Sequence, residues 1–319
     1  MASSAFHVDT VHLAQFTSGD AKDRAEFVRV LGESLTHTGF VKVAGHRVST
    51  ADVDGAYRAA RDFFALPEEV KARYIVPGGG GARGFTPFGQ EHAKDNPVGD
   101  LKEFWHVGQE LPPGHALHPI YGDNLWPDDV VPGFKDHTLA LYRALEDCAG
   151  TLLQGIACFL GLPERSLSDM IVDGNSILRI IHYPALEDRF IEGGVRASAH
   201  EDINLVTLLP AATDGGLQLL DRDGRWHAVE GLEGEIIADA GDMLSRHVNL
   251  RIPSTTHRVV NPESADAVRY SMPFFCHPRP EVLLDCPASL LREGERKMFE
   301  PITANDFLLQ RLREIGLIP

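Results

Sequence analysis

Between Ser176 and Cys276 the chain breaks into short apolar, β-branched runs, each closed by a turn signal. The runs are Ser176 to Tyr183, Asn204 to Leu209, Gly216 to Leu220, Trp226 to Val229, Glu235 to Ala238, Met243 to Ser245 and Tyr270 to Cys276. Asp214-Gly215-Gly216, Asp223-Gly224 and Ala240-Gly241-Asp242 supply turns between them. Short strands at this spacing indicate an all-β sandwich, jelly roll or barrel. A chain that carries them has to close a β core, and its other segments have to cover that core.

Those other segments read mainly as helices. Ala21 to Thr36 places Phe27, Val28, Leu31 and Leu35 at helical spacing, and Gly39 is a stop signal. Phe40 to Val43 alternates as a short strand, Ala51 to Phe64 reads as a second helix, and Leu66-Pro67-Glu68-Glu69 opens a short third. Lys102 to Trp105 reads as strand. Residues 112–132, rich in Pro, Gly and His, read as irregular surface, with His115 and His118 solvated. Gly78 to Gly81 reads as a loop near a pocket mouth; no Gly-Lys-Ser/Thr follows to make it a phosphate cradle. Gly133 to Leu160 is a long helix predicted to brace the sheet, and Thr303 to Ile315 closes the chain as a helix through Phe307, Leu308 and Leu312. The expectation is one domain over residues 1–319. A helical, substrate-side region covers 1–130, the bracing helix 133–161, the jelly-roll core 175–280 and a helical tail 285–319.

Hydrophobic residues make up 43% of the 319, enough for a sizeable core, and no apolar run approaches a membrane span. The net charge of −16 argues against nucleic acid or an anionic membrane as a partner. Cys148, Cys158, Cys276 and Cys286 form no Cys-x-x-Cys; they read as reduced, structural thiols of a cytoplasmic protein, and Met1 to His7 lacks the pattern of a secretory leader.

Within the β run, His200-Glu201-Asp202 is followed by His257, 257 − 202 = 55 residues after the carboxylate. On a strand, residues two apart share a face, so His200 and Asp202 can reach one ion while His257 arrives from a neighbouring strand. Two His and one carboxylate on one face form the triad that suits non-haem Fe(II). With fifteen His in the chain, three unrelated polar residues remain the bland alternative. Arg269 and Ser271 also share a strand face, and a guanidinium fork matches a carboxylate. His182 falls on the face opposite Tyr183; His247 and His277 read as packed or solvated.

These motifs occur in an order that resembles the isopenicillin N synthase-like branch of the 2-oxoglutarate/Fe(II)-dependent oxygenases. The resemblance runs through Gly39-Phe40-Val41-Lys42-Val43 with Gly45-His46, Phe63-Phe64-Ala65-Leu66-Pro67, Arg83-Gly84-Phe85, Lys102-Glu103-Phe104 and Leu178-Arg179 with Tyr183-Pro184. It continues through His200-Glu201-Asp202, Gly215-Gly216-Leu217-Gln218, Trp226, Gly241-Asp242-Met243-Leu244, His257-Arg258-Val259 and Arg269-Tyr270-Ser271. It implies a double-stranded β-helix, a cupin-like jelly roll with flanking helices. It further implies Fe(II) on His200, Asp202 and His257, with Arg269, Ser271 and Tyr183 on the distal carboxylate of 2-oxoglutarate. Molecular oxygen would be the oxidant, succinate and carbon dioxide the by-products. The outcome on a small-molecule substrate would be hydroxylation, or else desaturation or ring closure. Phe85, Phe104 and Phe275 are the expected pocket residues, and a monomer is the expected state. Ile181-His182-Tyr183 lacks the Asn usual in plant members, and Ser271-Met272-Pro273-Phe274-Phe275 is closest to the synthase itself. An oxidase in which Arg269 and Ser271 hold the substrate instead, and a non-catalytic metal-binding jelly roll, are the alternatives.

Overall fold

The computed structural model describes residues 6–77, 82–91, 98–187, 189–231 and 234–314, so the Gly78 to Gly81 loop lies outside it. The helical layer comprises α1 (Leu13–Thr17), α2 (Ala21–Thr38), α3 (Thr50–Phe64), α4 (Glu68–Lys71), α5 (His118–Tyr121) and α6 (Phe134–Phe159). The Asp20 carboxylate caps α2 by accepting from the backbone N–H groups of Lys22 and Asp23. Gly39 ends it at φ 74°, a conformation open to glycine, and returns its N–H to the Leu35 carbonyl. One turn of helix, α5, forms inside the stretch expected to be irregular. Pro119 fits there because the first helical N–H groups have no intrahelical partner.

The strands in chain order are β1 (Thr10–His12), β2 (Phe40–Ala44), β3 (Gly84–Thr86), β4 (Glu103–Gly108), β5 (Ile177–Tyr183), β6 (Ala197–His200) and β7 (Val206–Pro210). They continue with β8 (Leu217–Leu220), β9 (Trp226–Ala228), β10 (Ile236–Ala240), β11 (His257–Val259), β12 (Arg269–Ser271) and β13 (Phe274–Cys276). The major sheet runs β1-β2-β10-β7-β13-β5-β4-β3 with β12 also on β5; the minor sheet runs β6-β11-β8-β9. The N-terminal region is therefore not only helical: β1 to β4 extend the major sheet at both ends.

Alternation along β4 and β5 separates two environments. Trp105, Val107, Leu178 and Ile180 point to the helical layer, where Trp105 meets Phe63 and Phe134 and where α6 contributes Tyr142 against Phe274. The other face looks across to the minor sheet; Phe40 and Ile237 of the major sheet pack there on Leu217 and Leu219 of the minor one. This two-sheet sandwich is the jelly roll.

Two expectations are corrected. Met243 to Ser245 is not a strand but part of α7 (Asp242–His247), whose first N–H groups are taken by carbonyls of the loop that follows β6: Asp242 N–H by Asp202, Met243 N–H by Ile203 and Asn204. Gly241 lets that loop approach, since a Cβ there would lie 2.3 Å from the Asn204 carbonyl oxygen. Phe85 does not face the barrel interior. It pairs across strands with Trp105, so it shares the helix-facing side and packs on Phe63. The chain ends in α8 (Ala304–Glu314), which Arg311 ties to Asp242 at 2.6 Å.

Beneath the helical layer, Lys71 reaches Glu103 at 2.7 Å, and His182 binds the same carboxylate at 2.7 Å while stacking on Tyr270. His182 thus lies opposite Tyr183. Both ends of the Lys71–Glu103 pair are buried, so Lys71→Met leaves an uncompensated carboxylate. We expect a loss of about 3–5 kcal/mol in chemical denaturation; a loss below 1 kcal/mol would contradict this account. Glu146 on α6 gives a pH signature. Burial, then Asp147 and Asp173, push its carboxyl up to about 7 from 4.5. Between those values the folded protein keeps a proton that the unfolded chain has released, so stability falls as pH rises. Glu146→Gln is expected to gain on the parent progressively from pH 4.5 to 7, whereas a pH-independent difference would refute the assignment.

Candidate active site

The backbone brings the predicted residues together from both sheets. His200 ends β6 and pairs directly across strands with His257 of β11. Asp202 is not on the strand: the chain leaves the sheet after His200, and the loop held by α7 turns the carboxylate back. Its Oδ1 lies 3.7 Å from Nε2 of each histidine. The donor atoms of all three residues lie within 4.8 Å of one another. Two ligands about 2.1 Å from one ion are at most about 4.2 Å apart, so each His–Asp pair fits a shared first-row metal.

Hydrogen bonds set the donor state of each group. His200 Nδ1 is 2.7 Å from the Ser198 carbonyl, and His257 Nδ1 is 3.2 Å from the Thr255 carbonyl. A carbonyl can only accept, so both Nδ1 atoms carry the proton and both Nε2 lone pairs face Asp202. Desolvation, then the neighbouring His257, hold the His200 imidazole below the ordinary histidine range, which keeps it neutral. The Thr207 hydroxyl donates to Asp202 Oδ2 and itself accepts from Asn204 Nδ2 at 2.9 Å. This occupies one carboxylate oxygen and leaves the other to the histidines. Burial, then the Asp202 charge, raise the neighbouring Asp239 carboxyl well above the ordinary carboxylate range.

A cationic group is built on β5 and β12. Arg269 of β12 pairs across strands with Tyr183 of β5, and its guanidinium carbon sits 5.0 Å from the Tyr183 ring centre. Only 1% of Arg269 is exposed. Its Nε donates to the Asp214 and Gly215 carbonyls at 3.0 and 3.1 Å, and its buried Nη1 has no hydrogen-bond partner among the described residues. Ser271, two residues on, is also buried. A desolvated guanidinium with a spare donor fits a carboxylate. Arg196, absent from the sequence reading, brings a second buried guanidinium over the Tyr183 ring at 5.7 Å, with Asp214 as its ion-pair partner at 3.3 Å.

Of the expected pocket residues, Phe104 clusters with Ile181 and Tyr183 on the inner face, and Phe275 pairs with Thr207. Sequence reasoning missed Thr207, Asn204 and Asp239, and also Glu91 and Asp100. The period-2 pattern of the strand after Asp202 was the only signal for Thr207; Glu91 and Asp100 lie in a segment without periodicity. A surface cavity of about 380 Å³ lined by Asp9, Glu33, Thr36, His37, Phe159 and Arg222 shares no residue with the cluster.

Removal of the Thr207 hydroxyl tests this geometry. Thr207→Val is expected to weaken divalent-metal binding about 10–100-fold in Co(II) titrations, with Thr207→Ser near the parent; equal affinities for all three would show that the hydroxyl does not orient Asp202.

Comparison with known proteins agrees with this architecture. Residues 8–129 match the family described as non-haem dioxygenase in morphine synthesis N-terminal, and residues 174–278 match the 2OG-Fe(II) oxygenase superfamily. The chain is 30% identical to a 2-oxoglutarate-Fe(II) type oxidoreductase from Metarhizium rileyi, over 96% of this chain and 90% of the relative. Among solved structures it resembles a 2OG-Fe(II) oxygenase family protein from Caulobacter crescentus at TM-score 0.87 and 40% identity, covering 98% of this chain and 100% of that one. It also resembles Neurospora crassa T7H, solved in complex with alpha-KG and thymine, at TM-score 0.84 and 28% identity, covering 96% of each chain.

Proposed function

Because the chain belongs to the 2OG-Fe(II) oxygenase superfamily and is an Fe(II)- and 2-oxoglutarate-dependent oxidoreductase acting on a small molecule, we propose a role in that chemistry for each residue of the site. His200 Nε2, Asp202 Oδ1 and His257 Nε2 hold the iron. Arg269, Ser271 and Tyr183 hold the distal carboxylate of 2-oxoglutarate. The observation that carries this reading is the pairing of a His-Asp-His donor cluster with a buried guanidinium whose Nη1 has no partner among the described residues. Both features are what a metal and a dicarboxylate require.

When bound, iron and 2-oxoglutarate supply the activation of oxygen that oxidises a C–H bond, with succinate and carbon dioxide released. The chain's own residues do the rest. Thr207 fixes which Asp202 oxygen faces the metal, and the Ser198 and Thr255 carbonyls fix the histidine tautomers. Arg269 orients the co-substrate by charge and is itself held by the Asp214 and Gly215 carbonyls. Phe104 and Phe275 contribute apolar walls that exclude water.

The Neurospora relative was solved with thymine, a small planar ring, and a small organic molecule of that scale is the substrate class proposed here. The whole chain is taken as a single catalytic domain, a cytoplasmic monomer without a nucleic-acid or membrane partner. The net charge of −16 supports the absence of a nucleic-acid partner, and no helix among the described residues is long and apolar enough to cross a membrane.

The test is spectroscopic. Anaerobic protein given Fe(II) and 2-oxoglutarate is expected to show the weak visible charge-transfer band of the chelate. Arg269→Ala at matched iron should weaken 2-oxoglutarate binding by about 2–5 kcal/mol, about 30-fold or more. Asp202→Ala should lose stoichiometric iron. An iron-loaded parent with no band, or an Arg269→Ala variant of unchanged affinity, would overturn the assignment.

A further inference from the structure

The last helix of the chain is tied to the loop that carries Asp202. The start of α7 grips that loop through four consecutive carbonyls. Gly241 N–H binds Leu205 at 3.0 Å, Asp242 N–H binds Asp202 at 2.7 Å, and Met243 N–H is shared by Ile203 and Asn204 at 3.1 Å each. The Asp202 side chain is held separately, by the Thr207 hydroxyl. The path of the loop backbone, and with it the direction in which the carboxylate leaves the chain, therefore depends on where the first turn of α7 sits.

That turn is held in its place by α8. The Asp242 carboxylate, 15% exposed, accepts from Arg311 Nη2 at 2.6 Å across 69 residues. Arg311 is fixed on its own helix by Glu314, which takes Nη1 at 2.8 Å, and by the Phe307 ring, whose centre lies 5.3 Å from the guanidinium carbon. Phe307 is buried, and Arg246 of α7 lies over the same ring at 5.6 Å while donating to the Glu300 carbonyl. Asn249, just past the end of α7, bonds the tail at Glu295, Arg296 and Met298. The tail thus clasps both ends of α7, and among the described residues Arg311 is the cation paired with its first turn.

A carboxylate this buried is costly without its cation. With the guanidinium removed, the first turn of α7 would swing Asp242 toward water, and the N–H groups that hold residues 202–205 would swing with it. The cost would then fall on the geometry of Asp202, although Arg311 touches neither the metal nor its ligands.

We propose that Arg311 is a positioning residue for Asp202: through Asp242 it sets the loop that presents Asp202 Oδ1 to the metal, so that docking of the C-terminal helix and metal binding are linked. The inference rests on the iron site proposed above and assigns part of that site's geometry to a helix outside the β core. Linkage is reciprocal. Whatever α8 docking adds to metal affinity, bound metal adds to α8 docking by the same factor.

Co(II) titration and amide hydrogen exchange on the full chain test it. Arg311→Met keeps an apolar stem over Phe307 and removes the charge, whereas Arg311→Lys keeps a cation for Asp242. The methionine variant is expected to bind Co(II) about tenfold or more weaker than the parent, with an altered visible d–d spectrum at saturating metal. The lysine variant should stay within about threefold and keep the parent spectrum. In the parent, saturation with Co(II) should slow amide exchange across residues 304–314 by about the factor lost in the methionine variant, and in that variant the metal should leave the exchange of this helix unchanged. Parent affinity and spectrum in Arg311→Met, equal losses in the methionine and lysine variants, or metal-dependent protection of α8 that survives without Arg311 would overturn the proposal. Failure of the iron-site reading is distinguishable, because His257→Ala would then bind Co(II) as the parent does.

Discussion

A carboxylate taken out of water needs a cation, and Asp202 lacks one among the described residues. It is 6% exposed, and its ionic neighbours are two histidines whose tautomers are set by backbone carbonyls. His277, also nearby, is pushed down to about 4 by burial and stays neutral, while Lys102 is committed to Glu91 and Asp100. Burial, then this same Asp202 charge, raise the Asp239 carboxyl well above the ordinary carboxylate range. The neighbourhood of Asp202 is thus arranged for a positive charge that the polypeptide does not supply, and a divalent metal completes it.

The same logic recurs a few residues away with the sign reversed. Arg196 and Arg269 are both buried over the Tyr183 ring, and among the described residues the carboxylate paired with them is that of Asp214, on Arg196. That leaves one positive charge in the pocket. On the proposed assignment, Fe(II) held by Asp202 would keep one positive charge, and a dicarboxylate held by the metal and Arg269 would neutralise both. At Arg179, by contrast, the described residues balance within the protein: Glu91 and Asp100 oppose Arg179 and Lys102.

Much of this was legible in the sequence, for physical reasons that differ by residue. The cross-strand approach of His257 to His200, and the pairing of Arg269 with Ser271 on one strand, follow from strand geometry, which a linear pattern records. Local geometry also misled. Asp202 reaches the histidines from a loop rather than a strand, and the Met243 to Ser245 run is helical because α7 has to offer its first N–H groups to the Asp202 loop. Register was hidden. Phe85 falls on the helix side because it opposes Trp105, and Glu91 meets Arg179 across 88 residues. Neither fact leaves a periodic trace, and β1 to β4 became part of the major sheet only through pairings as distant as that of Val43 with Ile236.

The most direct measurement is a crystal structure of the protein grown anaerobically with Mn(II) and 2-oxoglutarate. The account predicts one metal bonded to His200 Nε2, Asp202 Oδ1 and His257 Nε2, with the distal carboxylate of 2-oxoglutarate on Arg269 Nη1 and the Ser271 hydroxyl, and with Arg179 still bound to Glu91. A metal held by other residues, or a distal carboxylate seated on Arg179, would contradict it.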